Sequence, residues 1–121
     1  MAQYLFMIYS DPAEAASMTQ EGWDAMLKAH GEFAAKVEAN GGKIMSGEAL
    51  APPTTATTVR GQSTASPTIT DGPFVETKES LGGFYLIETK DLDAAIGFAR
   101  ILPVQGSGGV EVRPVMDTSG G

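Results

Sequence analysis

The chain has 121 residues, no cysteine and a formal net charge of -7. That length suits one compact domain with a real core, and the missing thiols exclude disulfide frameworks, Cys-ligated zinc and thiol nucleophiles. The acids are scattered from Asp11 to Asp117 with no basic block, which speaks against nucleic-acid binding through phosphate neutralisation.

The first segment, Gln3–Ser10, is continuously apolar between Tyr4 and Tyr9. Read as a strand, it places Tyr4, Phe6 and Ile8 on one face and Leu5, Met7 and Tyr9 on the other. Both faces are apolar, so both are expected to be covered. Asp11-Pro12 ends the strand, because proline lacks a ladder donor. The run is too short for a signal core or a transmembrane span, and no lysine or arginine precedes Lys28. A cytoplasmic protein without a membrane partner is expected.

Met18–Ala39 reads as a long helix, with Ser17 and Gln20 as a capping box. Trp23, Met26, Leu27, His30, Phe33, Ala34 and Val37 fall on one stripe at helical spacing. Asn40-Gly41-Gly42 is a helix stop. Lys43–Leu50 is a strand, followed by a rigid connection through Pro52-Pro53. Thr57–Arg60 and Pro67–Thr70 form an inserted hairpin ribbon, expected at a sheet edge. Asp71-Gly72-Pro73 is a turn, and Gly83–Thr89 a clear strand. Asp91 caps a second helix with Leu92, Ala95, Ile96, Ala99 and Leu102 on one face. After Pro103 and the flexible Gln105–Gly109, Val110–Val115 is the last strand. Residues 1–116 read as a single domain and 117–121 as a flexible tail.

Without the ribbon this order is the split βαβ–βαβ pattern of an α+β, ferredoxin-like βαββαβ protomer. Two helices cover only one sheet face, so a homodimer with the sheets packed face to face is expected.

The segments "QYLFMIYSD", "AHGEFAAKVEANGG", "SGEALAPPTTATTVR", "TDGPFVETKESLGGFYLIE" and "VEVRPV" span nearly the whole chain. In them the sequence resembles the YCII-related family, specifically its DGPF-motif branch. The resemblance implies a dimeric α+β barrel of ferredoxin-like protomers. Related barrels host isomerases, lyases and monooxygenases acting on small, often aromatic-derived substrates. It also implies an acid–base pair of a histidine with a nearby aspartate. The helix histidine of the family matches His30, and Asp71, in the motif that names the branch, is chosen as its partner.

His30 is the sole histidine. It has two readings: a core or interface histidine bonded to a backbone carbonyl, or a proton-transfer group tuned by a carboxylate. Asp71 before glycine can close an Asx-turn or orient His30. Glu48 and Glu76 are candidate ligand-binding carboxylates, against the alternative of solvated residues. Phe74, Tyr85 and Trp23 are candidate pocket walls against simple core packing. Tyr9, at a strand end, is a pocket candidate whose hydroxyl needs a wet or bonded partner. "QGSGG" follows a helix and precedes a strand, the reverse of a phosphate-binding loop. One histidine without cysteines makes a metal site unfavourable, and no cofactor is expected. The functional expectation is a small-molecule-binding protein, acting as a cofactor-independent lyase or isomerase through a His–Asp pair. The alternative is a non-catalytic dimeric module that senses a metabolite or docks on a partner.

Overall fold

The structure, a computed structural model, describes residues 1–118; residues 119–121 of the expected tail lie outside it. The main sheet has four strands, β1 (Ala2–Ser10), β2 (Lys43–Ala49), β5 (Ser80–Thr89) and β6 (Gly109–Pro114), in the order β2-β5-β1-β6. Every neighbouring pair is antiparallel. A second, two-stranded sheet joins β3 (Thr57–Arg60) to β4 (Thr68–Asp71). Three α-helices, α1 (Pro12–Ala16), α2 (Gln20–Ala39) and α3 (Leu92–Ile101), complete the chain with a 3-10 turn at Pro53–Thr55. The architecture is α+β with an antiparallel sheet, compatible with a ferredoxin-like fold. The ribbon is a sheet of its own rather than an edge of the main one.

Local chemistry explains the boundaries. Asp11 does end β1, but it also starts α1: its carboxylate accepts from the Ala13 amide at 2.9 Å, with Pro12 at the first helical position. Ser17 closes that short helix instead of opening the long one, donating its hydroxyl to the Glu14 carbonyl. The cap of α2 is Thr19, whose hydroxyl accepts from Gly22 N–H. At the other end, Gly41 has φ 85°. The Gly42 amide bonds to the Val37 carbonyl and the Gly41 amide to that of Glu38, the paired pattern of a Schellman stop. Asp91 caps α3 as the sequence predicts, accepting from Ala94 N–H at 2.9 Å.

The core lies between one sheet face and the helices. Tyr4, Phe6 and Ile87 from the sheet meet Phe33 and Val37 of α2, and Ala95 and Phe98 of α3 with Leu102 just beyond it. On α3 the buried stripe therefore passes through Phe98, while Leu92 and Ile96, expected to face inward, are exposed. On α2 only Phe33 and Val37 of the long stripe are buried. Trp23 keeps 45% of its surface and Leu27 67%. The helix packs on the sheet along its second half alone.

Leu5, Met7 and Tyr9 alternate to the sheet face opposite the helices, as do Phe84 and Leu86, which pair with Met7 and Leu5. All five are only half-buried. Two bulges distort the strands: Gly82 is the extra residue between the Ile8–Gly83 and Tyr9–Leu81 pairs, and Met45 the extra residue between Ile44 and Ser46.

Two glycines separate a packing requirement from a helix-propensity cost. A Cβ on Gly42 would stand 2.8 Å from both the Phe98 ring and the Val37 side chain, whereas one on Gly31 meets nothing within 4 Å. Gly42→Ala is expected to destabilise the fold by about 1–3 kcal/mol, and Gly31→Ala to stabilise it by about 0.5–1 kcal/mol. Thermal or urea unfolding of the two variants checks both signs.

Candidate functional site

Where α2 lifts away from the sheet, the surface beneath it is made of small residues. Ser10, Gly47, Ala49 and Gly83 line a cavity of about 900 Å³ whose opposite wall carries Trp23 and His30. Short elements close its sides: α1, the Pro52-Pro53 corner and the Pro103–Gln105 segment. Glu14 holds two of these together. Its backbone carbonyl accepts from the Gln105 side-chain amide at 2.9 Å, and its carboxylate from the Ser107 hydroxyl at 3.4 Å. The walls are mostly apolar, and the volume lies within the roughly 300–1,000 Å³ common for drug-sized ligands.

The polar centre of the cavity is a pair. His30 Nδ1 lies 2.8 Å from the Tyr85 hydroxyl, with the rings 5.9 Å apart and tilted by 32°. Tyr85 is held from two other directions. Its ring packs 5.3 Å from that of Phe33, and it leans across β2 over Gly47, where a Cβ would come 2.6 Å from Tyr85 Cδ1. Glycine at 47 is thus a condition for the tyrosine's position.

Burial acts on both members toward the neutral state. It lowers the His30 imidazole below its ordinary pKa of 6.5 and raises the Tyr85 phenol above its ordinary 10.0. Two arrangements then have similar geometry. The phenol donates to Nδ1 and the Nε2 hydrogen faces a ligand, or Nδ1–H donates to the phenol oxygen and Nε2 offers a lone pair. A neutral imidazole that can exchange these roles can give or take one hydrogen bond, or move one proton.

Of the residues singled out from sequence, His30, Trp23 and Tyr85 line this cavity. Glu48 borders it on exposed β2, but it pairs with Phe84 and alternates with Gly47 and Ala49, so it stands on the sheet face away from α2. Asp71 and Glu76 line a smaller, adjoining cavity of about 470 Å³, which shares Pro53, Thr54 and Ser80 with the first. Asp71 sits at the end of β4, paired with Thr57. The ribbon it belongs to is tied down locally, by Gly72 N–H to the Ala56 carbonyl and the Thr58 hydroxyl to the Gly72 carbonyl, each at 2.7 Å. The group bonded to His30 is the phenol of Tyr85 and not the Asp71 carboxylate. Phe74 lies outside both cavities, 62% exposed, with the Arg60 guanidinium 3.9 Å over its ring and bonded to its carbonyl at 3.0 Å. Tyr9 alternates with cavity-lining Ile8 and Ser10 and so stands on the opposite sheet face.

Sequence reasoning placed Tyr85 among the pocket or core aromatics but missed it as the partner of His30. In "GFYLIE" both strand faces are apolar, so nothing local says whether Phe84 or Tyr85 turns toward the helix. The usable signal is Gly47, three strands earlier in the chain, and its meaning depends on the β2–β5 register. Among the described residues no group of His, Asp and Glu is arranged to hold a metal ion, and no helix is long and apolar enough to cross a membrane.

Comparison with known proteins gives a family match and a relative of undescribed function. The YCII-related domain matches residues 2–119. An uncharacterized protein of Rhizobium meliloti (strain 1021) is 37% identical over 115 residues, covering 93% of this chain and 90% of that protein. With a match running through every strand and helix described above, the chain belongs to the YCII-related domain family.

Proposed function

We propose that this protein binds a small organic molecule in the cavity between α2 and the sheet, and that His30 exchanges a hydrogen bond or a proton with it. One observation carries this reading. The sole imidazole stands in a ligand-sized apolar cavity, held through Nδ1 by Tyr85, with Nε2 left for another group. A histidine serving only to fill the core would be sealed among side chains.

The reaction class that fits is cofactor-independent proton transfer of the lyase or isomerase type, in which an oriented acid–base group gains about 10²–10⁴-fold. Tyr85 takes the orienting role expected of Asp71. Asp71 and Glu76 stand in the adjoining cavity, where they can meet a ligand that extends past Pro53. The alternative, a sensor without turnover, uses the same cavity and the same hydrogen bond. Turnover by wild type that His30→Gln abolishes separates the two.

The tetrapeptide Asp71-Gly72-Pro73-Phe74 supports assignment to the DGPF branch. We take residues 1–116 as one domain acting in the cytoplasm as a homodimer. The open sheet face, with Leu5, Met7, Phe84 and Leu86 half-buried, is the surface a second copy would cover to form a dimeric α+β barrel.

In a thermal-shift screen of small cyclic metabolites, a hit on wild type is expected to weaken by about 3–10-fold in His30→Gln, the value of one neutral hydrogen bond. Tyr85→Phe should keep the fold, at a cost of about 1–3 kcal/mol for the unpaired Nδ1, and should lower affinity as well. A hit indifferent to both changes would remove the dyad from the site.

The pH dependence has a definite sign. Burial lowers the folded-state pKa of His30 below 6.5, so the unfolded chain takes up that proton first as pH falls. Stability linked to His30 is present above 6.5 and is lost as pH falls toward the lowered value. Melting temperatures should therefore drop more steeply on acidification in wild type than in His30→Gln, with parallel curves above pH 6.5.

Sedimentation at micromolar concentration is expected to show a dimer, and Leu86→Glu on the open face to give a folded monomer. A wild-type monomer would defeat the covered-sheet reading.

A further inference from the structure

We infer that the cavity selects uncharged, predominantly apolar molecules carrying one hydrogen-bonding group, and rejects carboxylates and phosphates. This rests on the reading of the cavity as a ligand site. Among the described residues no lysine or arginine lines the cavity, and the carboxylate at its border, Glu48, stands with Phe84 on the other sheet face. The adjoining cavity also lacks a cation and adds Asp71 and Glu76. The surrounding chain has a net charge of -7. An anion entering here leaves water for apolar walls, finds no counter-charge and meets a negative rim.

His30 does not supply the missing positive charge. Its neighbour is a phenol, which cannot balance an imidazolium, and a half-buried ring against Tyr85 loses water on forming one. The dyad thus offers a hydrogen bond to a hydroxyl, carbonyl or ring nitrogen, and nothing that neutralises an acid. Metabolites whose common handle is a phosphate, a pyrophosphate or a carboxylate fall outside the class. Phenols, ketones, lactones and neutral heterocycles fall within it. Trp23 and Met26 on α2, with Met18 in the connection before it, give such ring systems polarizable surface.

The test uses the full chain and two probes with the same ring system, 2-naphthol and 2-naphthoate, titrated by calorimetry at neutral pH. Naphthol is expected to bind tighter by about tenfold or more. His30→Gln should weaken it, which locates the probe. Leu27→Arg adds a cation to the cavity wall at a position that is 67% exposed and tolerant of substitution, and should narrow or reverse the preference. Naphthoate binding as tightly as naphthol to wild type, or a preference unmoved by Leu27→Arg, overturns the selectivity while leaving the cavity as a ligand site. Naphthol binding that ignores His30→Gln, or no binding of either probe, overturns the cavity reading and this inference with it.

Discussion

Small residues beneath the first half of α2 hold this structure's cavity open. The helix carries a continuous apolar stripe from Trp23 to Val37, but the sheet offers bulk to only part of it. Tyr4, Phe6 and Ile87 meet Phe33 and Val37 and close the core there. Toward the helix N-terminus the facing positions are Ser10, Gly47, Ala49 and Gly83, too small to reach the helix. Interiors are otherwise packed at crystal-like density, so a gap of this size next to a well-filled core has a local cause, and here the cause is side-chain volume.

Tyr85 marks the boundary between the two regimes. Its ring continues the core against Phe33, and its hydroxyl reaches the cavity at His30. Gly47 makes room for it on the neighbouring strand. The bulge at Gly82 shifts the pairing of β1 and β5 at the cavity's edge, and α1, capped by Asp11, folds across the same end with Glu14 joined to the loop after α3. Each of these features costs regularity in an otherwise simple sheet. Together they build a concave apolar wall around one hydrogen-bonding pair.

The electrostatic character follows from what surrounds that pair. Burial favours the neutral form of both rings, and a neutral pair needs no counter-ion. Carboxylates are present nearby, but on the rim and in the ribbon cavity rather than in contact with the imidazole. The site is therefore suited to recognition of a modestly polar molecule rather than to stabilisation of a strong charge. Such a distinction narrows the chemistry more than the fold does, since the fold alone supports many unrelated functions.

How far the sequence could be read depended on the range of the signals. Asp91, Asn40-Gly41-Gly42 and the period of the apolar residues are local, and they fixed the element order, the ferredoxin-like pattern and the prominence of His30. Asp11-Pro12 was read as a stop alone because one dipeptide can end a strand and open a helix at once. On α3 Ala95, Ala99 and Leu102 do face the core, but Leu92 and Ile96 do not, because apolar residues surround nearly the whole helix and tertiary contact chooses Phe98 instead. The partner of His30 was beyond reach for a stronger reason. Tyr85 lies 55 residues away, and only the β2–β5 register brings Gly47 opposite it and turns its hydroxyl under the helix. By itself the sequence determined which segments fold and which single imidazole they carry, because those depend on neighbours along the chain. The tertiary structure alone decided what that imidazole touches and how much space stands before it, because both depend on the register of strands and the volumes of side chains that meet only after folding.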